Sequence, residues 1–296
     1  LAGGFDGQVE FTRLAVSTVS GDLYALDALV GRVIRFEATR NGYVLDRNFS
    51  CGPSQVGAII VSPLVDIVPL PRNNLYNADV MGIDATGTLL YCQAGETGST
   101  SYASRLVADH GWGKITAMTL YNGQLYVLDP INNIIWRYDT LYDNFVDPPH
   151  QLDINLQNLI SAVDLDVYED DLFVISSNGQ TSKCTFRSSY SWEMLCEEPA
   201  AYMITDTDGN RNPYDIIEGT TFTQVQTTYP LEPSLYILDQ ASNSVYRFSV
   251  AMQMQYKMSP NQASEALLSG KTVSAFAITP AQKLVLAFSN QLYIAD

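Results

Sequence analysis

The chain has 296 residues, 46% of them hydrophobic, and 32 acidic against 16 basic residues give it a formal net charge of −16. This negative charge repels phosphate backbones and anionic lipid, which argues against nucleic acid and membrane surfaces as partners. No apolar run approaches the roughly 18 residues of a membrane-spanning helix, and the chain begins at Leu1 without Met, so we expect a segment of a longer protein without direct membrane insertion.

The chain contains an internal repeat. Residues 23–36, 125–138 and 235–248 all fit the pattern LYxLDxxxxx[VI]xR[FY] without a gap. In each copy two alternating apolar runs flank a polar linker, which predicts a β-hairpin. The Tyr and Arg of the pattern then lie opposite each other, and we expect a cation–π contact as part of ordinary hairpin packing.

Weaker copies of the first hairpin strand occur at residues 89–92, 172–176 and 284–288, which brings the count to six. A short apolar strand precedes each copy, and a fourth strand usually follows, as at residues 43–45 and 192–195. Six such units have about fifty residues each, a normal size for a propeller blade. We therefore predict an all-β, six-bladed β-propeller with four antiparallel strands per blade, in a single domain over residues 1–296.

The last predicted blade is one strand short. Residues 1–9 precede the inner strand of blade 1 as an outer strand would. We predict that this N-terminal strand completes blade 6, which removes an open edge and closes the ring.

The hairpins resemble those of six-bladed propellers of the NHL and YWTD kind, whose blades carry a similar LYVxDxxNNxI sequence. The best match is LYVLDPINNI at residues 125–134. The resemblance covers nearly the whole chain at the level of architecture. It implies the fold and not an activity.

Four cysteines lie at positions that favour two disulfides. Cys184 and Cys196 flank a predicted turn at residues 188–191 of blade 4, so a hairpin brings them face to face. Cys51 and Cys92 end predicted strands of blades 1 and 2 on the same face of the disc. Zinc would need closer pairs such as CxxC, which are absent. The sequence thus predicts both disulfides and an extracellular or cell-surface location.

The predicted inner strands place charged residues at one equivalent position near the mouth of the central channel. The aligned residues are Arg13, Asp66, Ala117, Asp164, Asp215 and Ala275. Clustered carboxylates need a compensating cation, arginine or proton. In one interpretation the three aspartates bind a divalent cation, with calcium favoured by all-oxygen ligands. In the other, each aspartate accepts backbone N–H bonds from a neighbouring blade and Arg13 balances the charge.

A polar loop before blade 5 is a second candidate calcium site. Its alternating oxygen-bearing side chains resemble a calcium loop, although Arg211 stands where an EF-hand has Gly and Glu218 falls one residue late. The alternative is a plain loop that joins blades 4 and 5. The candidate ligands are Asp206, Asp208, Asn210 and Asn212.

Catalytic signatures are missing from the sequence. His110 and His150 lie in predicted loops beside Gly or Pro, outside any HExxH or triad-like setting. The chain has no GxSxG, GxxxxGK[ST] or GxGxxG motif. We therefore predict no catalytic residues.

These features favour a non-enzymatic recognition, sensor or scaffold propeller outside the cytoplasm, which resembles the extracellular portions of bacterial receptor kinases and related surface proteins. We expect a protein, peptide or glycan ligand on the loop face, and no cofactor. One alternative is a calcium-dependent hydrolase resembling the gluconolactonase and phosphotriesterase propellers, with Asp66, Asp164 and Asp215 holding a Lewis-acid cation. Another is a structural building block of a surface layer or filament.

Overall fold

The computed structural model describes residues 8–71, 74–96, 98–107, 111–139, 145, 148–156, 158–188, 192–197, 202–205, 209–214, 217–228, 233–260, 270–288 and 290–295. In these ranges the protein is all-β, and its main sheets are six antiparallel blades of a propeller. The six-bladed fold predicted from the repeat is therefore confirmed. None of the described segments forms a helix long and apolar enough to cross a membrane.

Blades 1 to 3 each contain four described strands, ordered outward from the channel. Blade 1 contains β1 (Phe11–Val16), β2 (Leu23–Asp27), β3 (Arg32–Thr39) and β4 (Gly42–Leu45). A small hairpin follows, made of β5 (Ser54–Val56) and β6 (Ile59–Val61). Blade 2 contains β7 (Leu64–Pro69), β8 (Val80–Asp84), β9 (Thr88–Gly95) and β10 (Gly98–Arg105). Blade 3 contains β11 (Ala117–Tyr121), β12 (Gln124–Asp129), β13 (Ile134–Asp139) and β14 (His150–Gln151).

Blades 4 to 6 follow the same plan, with one addition and one hairpin between blades. The short strand β15 (Asp153–Ile154) pairs in parallel with the outer edge of blade 4. Blade 4 itself contains β16 (Ala162–Tyr168), β17 (Asp171–Ser176), β18 (Thr181–Phe186) and β19 (Glu193–Glu197). A hairpin of β20 (Tyr202–Thr205) and β21 (Arg211–Tyr214) comes next. Blade 5 contains β22 (Phe222–Thr228), β23 (Ser234–Asp239), β24 (Ser244–Ser249) and β25 (Met254–Met258). Blade 6 has three described strands, β26 (Ala275–Ile278), β27 (Leu284–Phe288) and β28 (Gln291–Ala295).

The hydrophobic core lies in the seams between blades. The described residues form six clusters of buried apolar side chains, and each cluster joins two neighbouring blades. Between blades 2 and 3, for example, the fully buried Tyr91 and Trp136 belong to one cluster. Because every blade buries both of its faces, the ring is held together by the same apolar burial that stabilises each sheet.

The seam between blades 6 and 1 closes the ring. Val9 and Phe11 of the N-terminal segment are buried in one cluster with Ala275 and Val285 of blade 6. The predicted closing strand falls mainly on residues 1–7, which lie outside the described residues. The contact of Val9 places the start of the described chain against blade 6.

The aspartate of the repeat anchors the start of the inner strand in its own blade. Asp129, for example, accepts the N–H groups of Gly113 at 2.8 Å and Lys114 at 3.0 Å, just before β11. Equivalent bonds join Asp27 to Glu10, Asp84 to Ser62 and Asp239 to Thr221. All four aspartates are buried. The Asp therefore recurs from blade to blade because one carboxylate can accept hydrogen bonds from two or more backbone N–H groups at once.

Hydrogen bonding also sets the ionisation of one of these aspartates. Burial alone raises the pKa of Asp84, but bonds from the N–H of Thr88, the hydroxyl and N–H of Thr86 and the N–H of Ser62 outweigh it and hold the pKa below its usual value. The ionised carboxylate is thus the form that the fold stabilises.

The cross-strand pairing predicted for the motif Tyr and Arg is confirmed. The register pairs Tyr24 with Arg35, Tyr126 with Arg137 and Tyr236 with Arg247. The Arg137 and Arg247 guanidinium carbons lie 6.0 and 5.7 Å from the ring centroids of their partners. In blade 1 the guanidinium of Arg35 instead bonds Asp22 and Asp46, at 2.8 and 2.7 Å.

Both predicted disulfides are present. Cys184 and Cys196 are direct partners on β18 and β19, as the hairpin argument requires. Cys51 lies beside β3 and bonds Cys92 on β9, so this bridge joins blades 1 and 2. All four cysteines of the chain are paired, which is typical of proteins that fold in an oxidising compartment.

Two predicted strand assignments are wrong. Residues 89–92 lie on the third strand of blade 2, and the second strand is β8. The motif is hard to recognise in β8 because Val80, Met81 and Ile83 stand where the pattern has Leu, Tyr and Leu. In blade 5 the inner strand is β22 and not residues 215–217. β22 was missed because Gln224 and Gln226 alternate along it in place of apolar residues.

Candidate functional site

One position of each inner strand lies at the same level of the channel. The residue at this position pairs with the next-to-last residue of the second strand, as Arg13 pairs with Leu26 and Asp66 with Ile83. The six equivalent residues are Arg13, Asp66, Ala117, Asp164, Gln224 and Ala275. Gln224 takes the position predicted for Asp215, which precedes β22 and lies outside the described residues.

Arg13 spans the channel. Its guanidinium donates to the backbone carbonyl oxygens of Thr223 at 3.0 Å and Val163 at 3.2 Å. It also forms ion pairs with Asp66 at 3.3 Å and Asp164 at 3.7 Å. Blade 4 is opposite blade 1 in a ring of six, so this one side chain connects blades 1, 2, 4 and 5 across the channel axis.

The two aspartates at this level bind the backbone of the next blade. An inner strand is an edge strand, so its channel-side N–H groups have no partner in their own sheet. Asp66 accepts the N–H of Met118 in blade 3 at 2.7 Å, and Asp164 accepts that of Val225 in blade 5 at 2.9 Å. Each carboxylate therefore completes the hydrogen bonding of an exposed strand edge.

Blade 5 uses glutamines for the same purpose. The side-chain oxygen of Gln224 accepts the N–H of Phe276 at 3.0 Å, and its amide donates to the carbonyls of Phe276 and Leu14. Two residues later Gln226 accepts the N–H of Ile278 at 3.2 Å. Blades 5, 6 and 1 are thus tied together by neutral side chains.

A third carboxylate, Asp166, lies one level further along the channel. It accepts the N–H of Val167 at 2.8 Å, the hydroxyl of Thr119 at 2.6 Å, and the N–H and hydroxyl of Thr227 at 2.5 and 3.0 Å. Sequence reasoning missed Asp166, Gln224 and Gln226. The alternation of side chains along a strand could have found Asp166, because it follows Asp164 by two residues and projects to the same side.

Two of the three channel carboxylates, Asp66 and Asp164, share the guanidinium of Arg13. Burial raises the pKa of Asp66, and the charge of Arg13 only partly opposes this. Burial raises the pKa of Asp164 to about 7, against the pull of Arg13 and with a contribution from the Asp66 charge. Burial also raises the pKa of Asp166 despite its bonds to Thr119 and the blade 5 strand. Burial alone lowers the pKa of Arg13, but Asp164 and Asp66 outweigh it and raise it.

A cavity of about 800 Å³ opens beside this network. It extends from the level of Arg13 towards the face that carries the turns from inner to second strands, at residues 17–21 and 122–123. We call it the channel cup, and that face the cup face. Its floor is formed by Arg13, Asp66 and Asp164, its wall includes Asp166 and Gln226, and Tyr121 lies near its mouth.

The channel residues do not fit a calcium site. Calcium takes six to eight oxygen ligands, whereas the two described aspartates flank a guanidinium and already accept backbone N–H groups. In the described part of the chain no group of three or more His, Cys, Asp or Glu residues is arranged to hold a metal.

Of the other candidate residues, those that the structure describes lie away from the cup. In the polar loop before blade 5, Asp206 and Asp208 lie outside the described residues, Asn210 is exposed, and Asn212 is half-buried on β21. His110 also lies outside the described residues. The ring of His150, an exposed residue, stacks on Trp192 with centroids 3.6 Å apart at the outer side of blades 3 and 4.

Comparison with known proteins identifies the fold alone. No family model and no curated protein matches the chain. A virginiamycin B lyase from Staphylococcus aureus is similar in structure, with 10% identity, a TM-score of 0.60, and coverage of 99% of this chain and 97% of the lyase. A gluconolactonase from Xanthomonas campestris has 13% identity and a TM-score of 0.55, over 98% of this chain and 86% of its own. A chain of a nidogen/laminin complex has 14% identity and a TM-score of 0.53, over 86% and 82%.

Proposed function

We propose that this protein is a non-enzymatic recognition propeller that acts outside the cytoplasm and binds a protein, peptide or glycan at the cup face. The observation that carries the proposal is that the charged side chains of the channel already have partners within the protein. Arg13, Asp66 and Asp164 are held by one another and by backbone groups of neighbouring blades. Groups fixed in this way stabilise the ring and leave the cup as a preformed, rigid cavity.

The shape and lining of the channel cup support a binding role. Ligand sites are concave, of roughly 300 to 1,000 Å³, and combine apolar walls with a few polar groups. The cup has a volume in this range, with Val68 and Leu70 on its apolar side and Asp166 and Gln226 as polar groups. Tyr121 near the mouth offers an aromatic surface with a polar tip, a type of side chain enriched in interfaces.

Two further observations support the proposed location and partner class. Both disulfides favour an oxidising compartment. The similarity to a chain from a nidogen/laminin complex shows that a propeller of this shape occurs in a protein–protein complex. One alternative, a surface-layer or filament unit, would use the outside of the disc in place of the cup.

The test is a binding screen with variants on and off the cup. The immobilised protein is presented with peptide and glycan arrays, and hits are measured by calorimetry. We expect Tyr121→Ala to weaken binding of the hits at least tenfold. Leu195→Ala changes a half-exposed side chain on the outer strand of blade 4 and serves as control. An equal loss of affinity in both variants, or no loss in either, would contradict a ligand site at the cup.

The same protein tests the hydrolase alternative. Asp164 has a pKa near neutrality, as general acids and bases do, and this favours the alternative. Lactone and phosphotriester hydrolysis is measured with and without added calcium. We expect no turnover above that of a matched Asp164→Asn variant. Calcium-dependent hydrolysis that this substitution abolishes would replace the recognition role with the enzymatic one.

A further inference from the structure

The tripeptide Asn48-Phe49-Ser50 is the single Asn-x-Ser/Thr sequence in the 296 residues, since no other asparagine has Ser or Thr two positions later. This sequence is the acceptor for N-linked glycans in secreted proteins. The tripeptide follows β4 and ends directly before Cys51, whose disulfide joins blades 1 and 2.

The backbone presents the two polar residues of this tripeptide to solvent. Asn48 and Ser50 are exposed, whereas Phe49 between them is half-buried and its ring lies 6.0 Å from that of Tyr24. The N–H of Asn48 bonds the carboxylate of Asp46 at 2.9 Å, an Asx-turn arrangement. Because Phe49 is anchored in the core, the side chains on either side of it project outward.

The segment lies on the outer rim of the disc. Its flanks run along the third strand of blade 1, with the N–H of Asp46 bonded to the carbonyl of Arg35 and the N–H of Val33 to that of Cys51. The backbone N–H of Ser50 donates to the hydroxyl of Ser99, on the outer strand of blade 2, and this hydroxyl donates to the backbone carbonyl of Ser50. A substituent on Asn48 therefore projects from the seam of blades 1 and 2, away from the channel.

We propose that Asn48 is an N-glycosylation site, an inference that rests on the proposed extracytoplasmic location. The transfer forms a bond from the side-chain nitrogen of Asn48 to the anomeric carbon of a sugar carried on a lipid diphosphate. The bond from that carbon to the diphosphate oxygen breaks, the lipid diphosphate leaves with the electron pair, and the nitrogen loses one proton to solvent. A rim glycan covers the edge where two blades meet and leaves the cup face open for a ligand.

The test is secretion of the chain from eukaryotic cells behind a cleavable leader. Intact mass, peptide mapping and glycosidase digestion report the glycan at Asn48. We expect a glycosidase-sensitive adduct that is lost in Asn48→Gln and Ser50→Ala and retained in Ser50→Thr. Asn41→Gln, in the exposed turn before β4, is the matched control and keeps the adduct.

Thiol counting on the same sample separates this inference from the proposed location. A chain with both disulfides closed and Asn48 unmodified overturns the glycan site and leaves the recognition role untouched. Chain retained in the cell is analysed in the same way from the microsomal fraction, where transfer takes place, so poor secretion does not prevent a decision. An adduct that persists in Asn48→Gln places the glycan elsewhere and also overturns the assignment.

Discussion

Replacing Arg13 by methionine removes the guanidinium that spans the channel while it keeps much of the side-chain volume. The change deletes two hydrogen bonds to carbonyls, at 3.0 and 3.2 Å, and leaves Asp66 and Asp164 without their cation. Breaking a buried ion pair from one side destabilises proteins by about 3–5 kcal/mol. We expect a loss of this size in the free energy of unfolding at pH 8, measured by urea titration with the disulfides intact.

The loss should shrink at lower pH, and the direction follows from Asp164. Its pKa in the folded protein is raised to about 7 from the usual 3.8, so the folded state holds a proton that the unfolded state releases between these values. This contribution to stability is fully present below the unfolded pKa and is lost as the pH rises through the folded one. At pH 5 Asp164 is protonated with or without the cation, so the effect of Arg13→Met should fall between pH 8 and pH 5 by about 1.4 kcal/mol, the value of the one pH unit that separates pH 8 from the pKa of about 7.

A surface arginine provides the control for this experiment. Arg187 forms an ion pair with Glu193 in which both side chains are about half exposed. Exposed pairs contribute at most about 1 kcal/mol, so Arg187→Met should have a small effect that is similar at pH 5 and pH 8. An Arg13→Met variant within about 1 kcal/mol of the wild type at pH 8, or one with equal losses at both pH values, would refute the role assigned to Arg13.

Three further outcomes are expected. Asp129→Ala removes a buried carboxylate that accepts the partly buried N–H groups of Gly113 and Lys114, and unfolding titrations should show a loss of about 1–3 kcal/mol. Opening the Cys51–Cys92 bridge, whose ends are 41 residues apart, should lower stability by about 4 kcal/mol, against about 3 kcal/mol for Cys184–Cys196 with 12, and equal losses would contradict the loop-closure argument. Chelation of calcium should leave the melting temperature unchanged. A melting temperature that rises with added calcium would contradict the conclusion that the channel residues do not fit a calcium site.

The sequence allowed the fold to be predicted because the repeat has a local cause. The Asp that ends LYxLD anchors its own blade, and the Tyr and Arg pair within one hairpin, so each copy carries a complete local signal. The disulfide between Cys184 and Cys196 was predictable for the same reason. Cys184 and Cys196 lie on neighbouring strands of one hairpin, and their contact follows from strand pairing alone.

The channel was predictable only in part, because its contacts join different blades. Arg13, Asp66 and Asp164 could be placed at one level by alignment, but their partners are backbone groups far away in sequence. The inner strand of blade 5 was predicted wrongly because the side-chain oxygen of Gln224 accepts the N–H of a neighbouring strand edge as well as an Asp carboxylate would. An apolar pattern identifies most inner strands, but it misses a strand in which glutamines hydrogen-bond the next blade. The channel cup has no sequence signal of its own, since it depends on how closely the six blades approach one another.

The bonds between inner strands also have a consequence for the motions of the ring. The amide protons of Met118, Val225 and Phe276 are held by side chains that belong to a different blade. Such a proton becomes accessible to deuterated solvent when two blades move apart, even if every strand stays in its own sheet. Exchange at these three amides would therefore report the breathing of the ring, seam by seam, separately from the unfolding of any single blade.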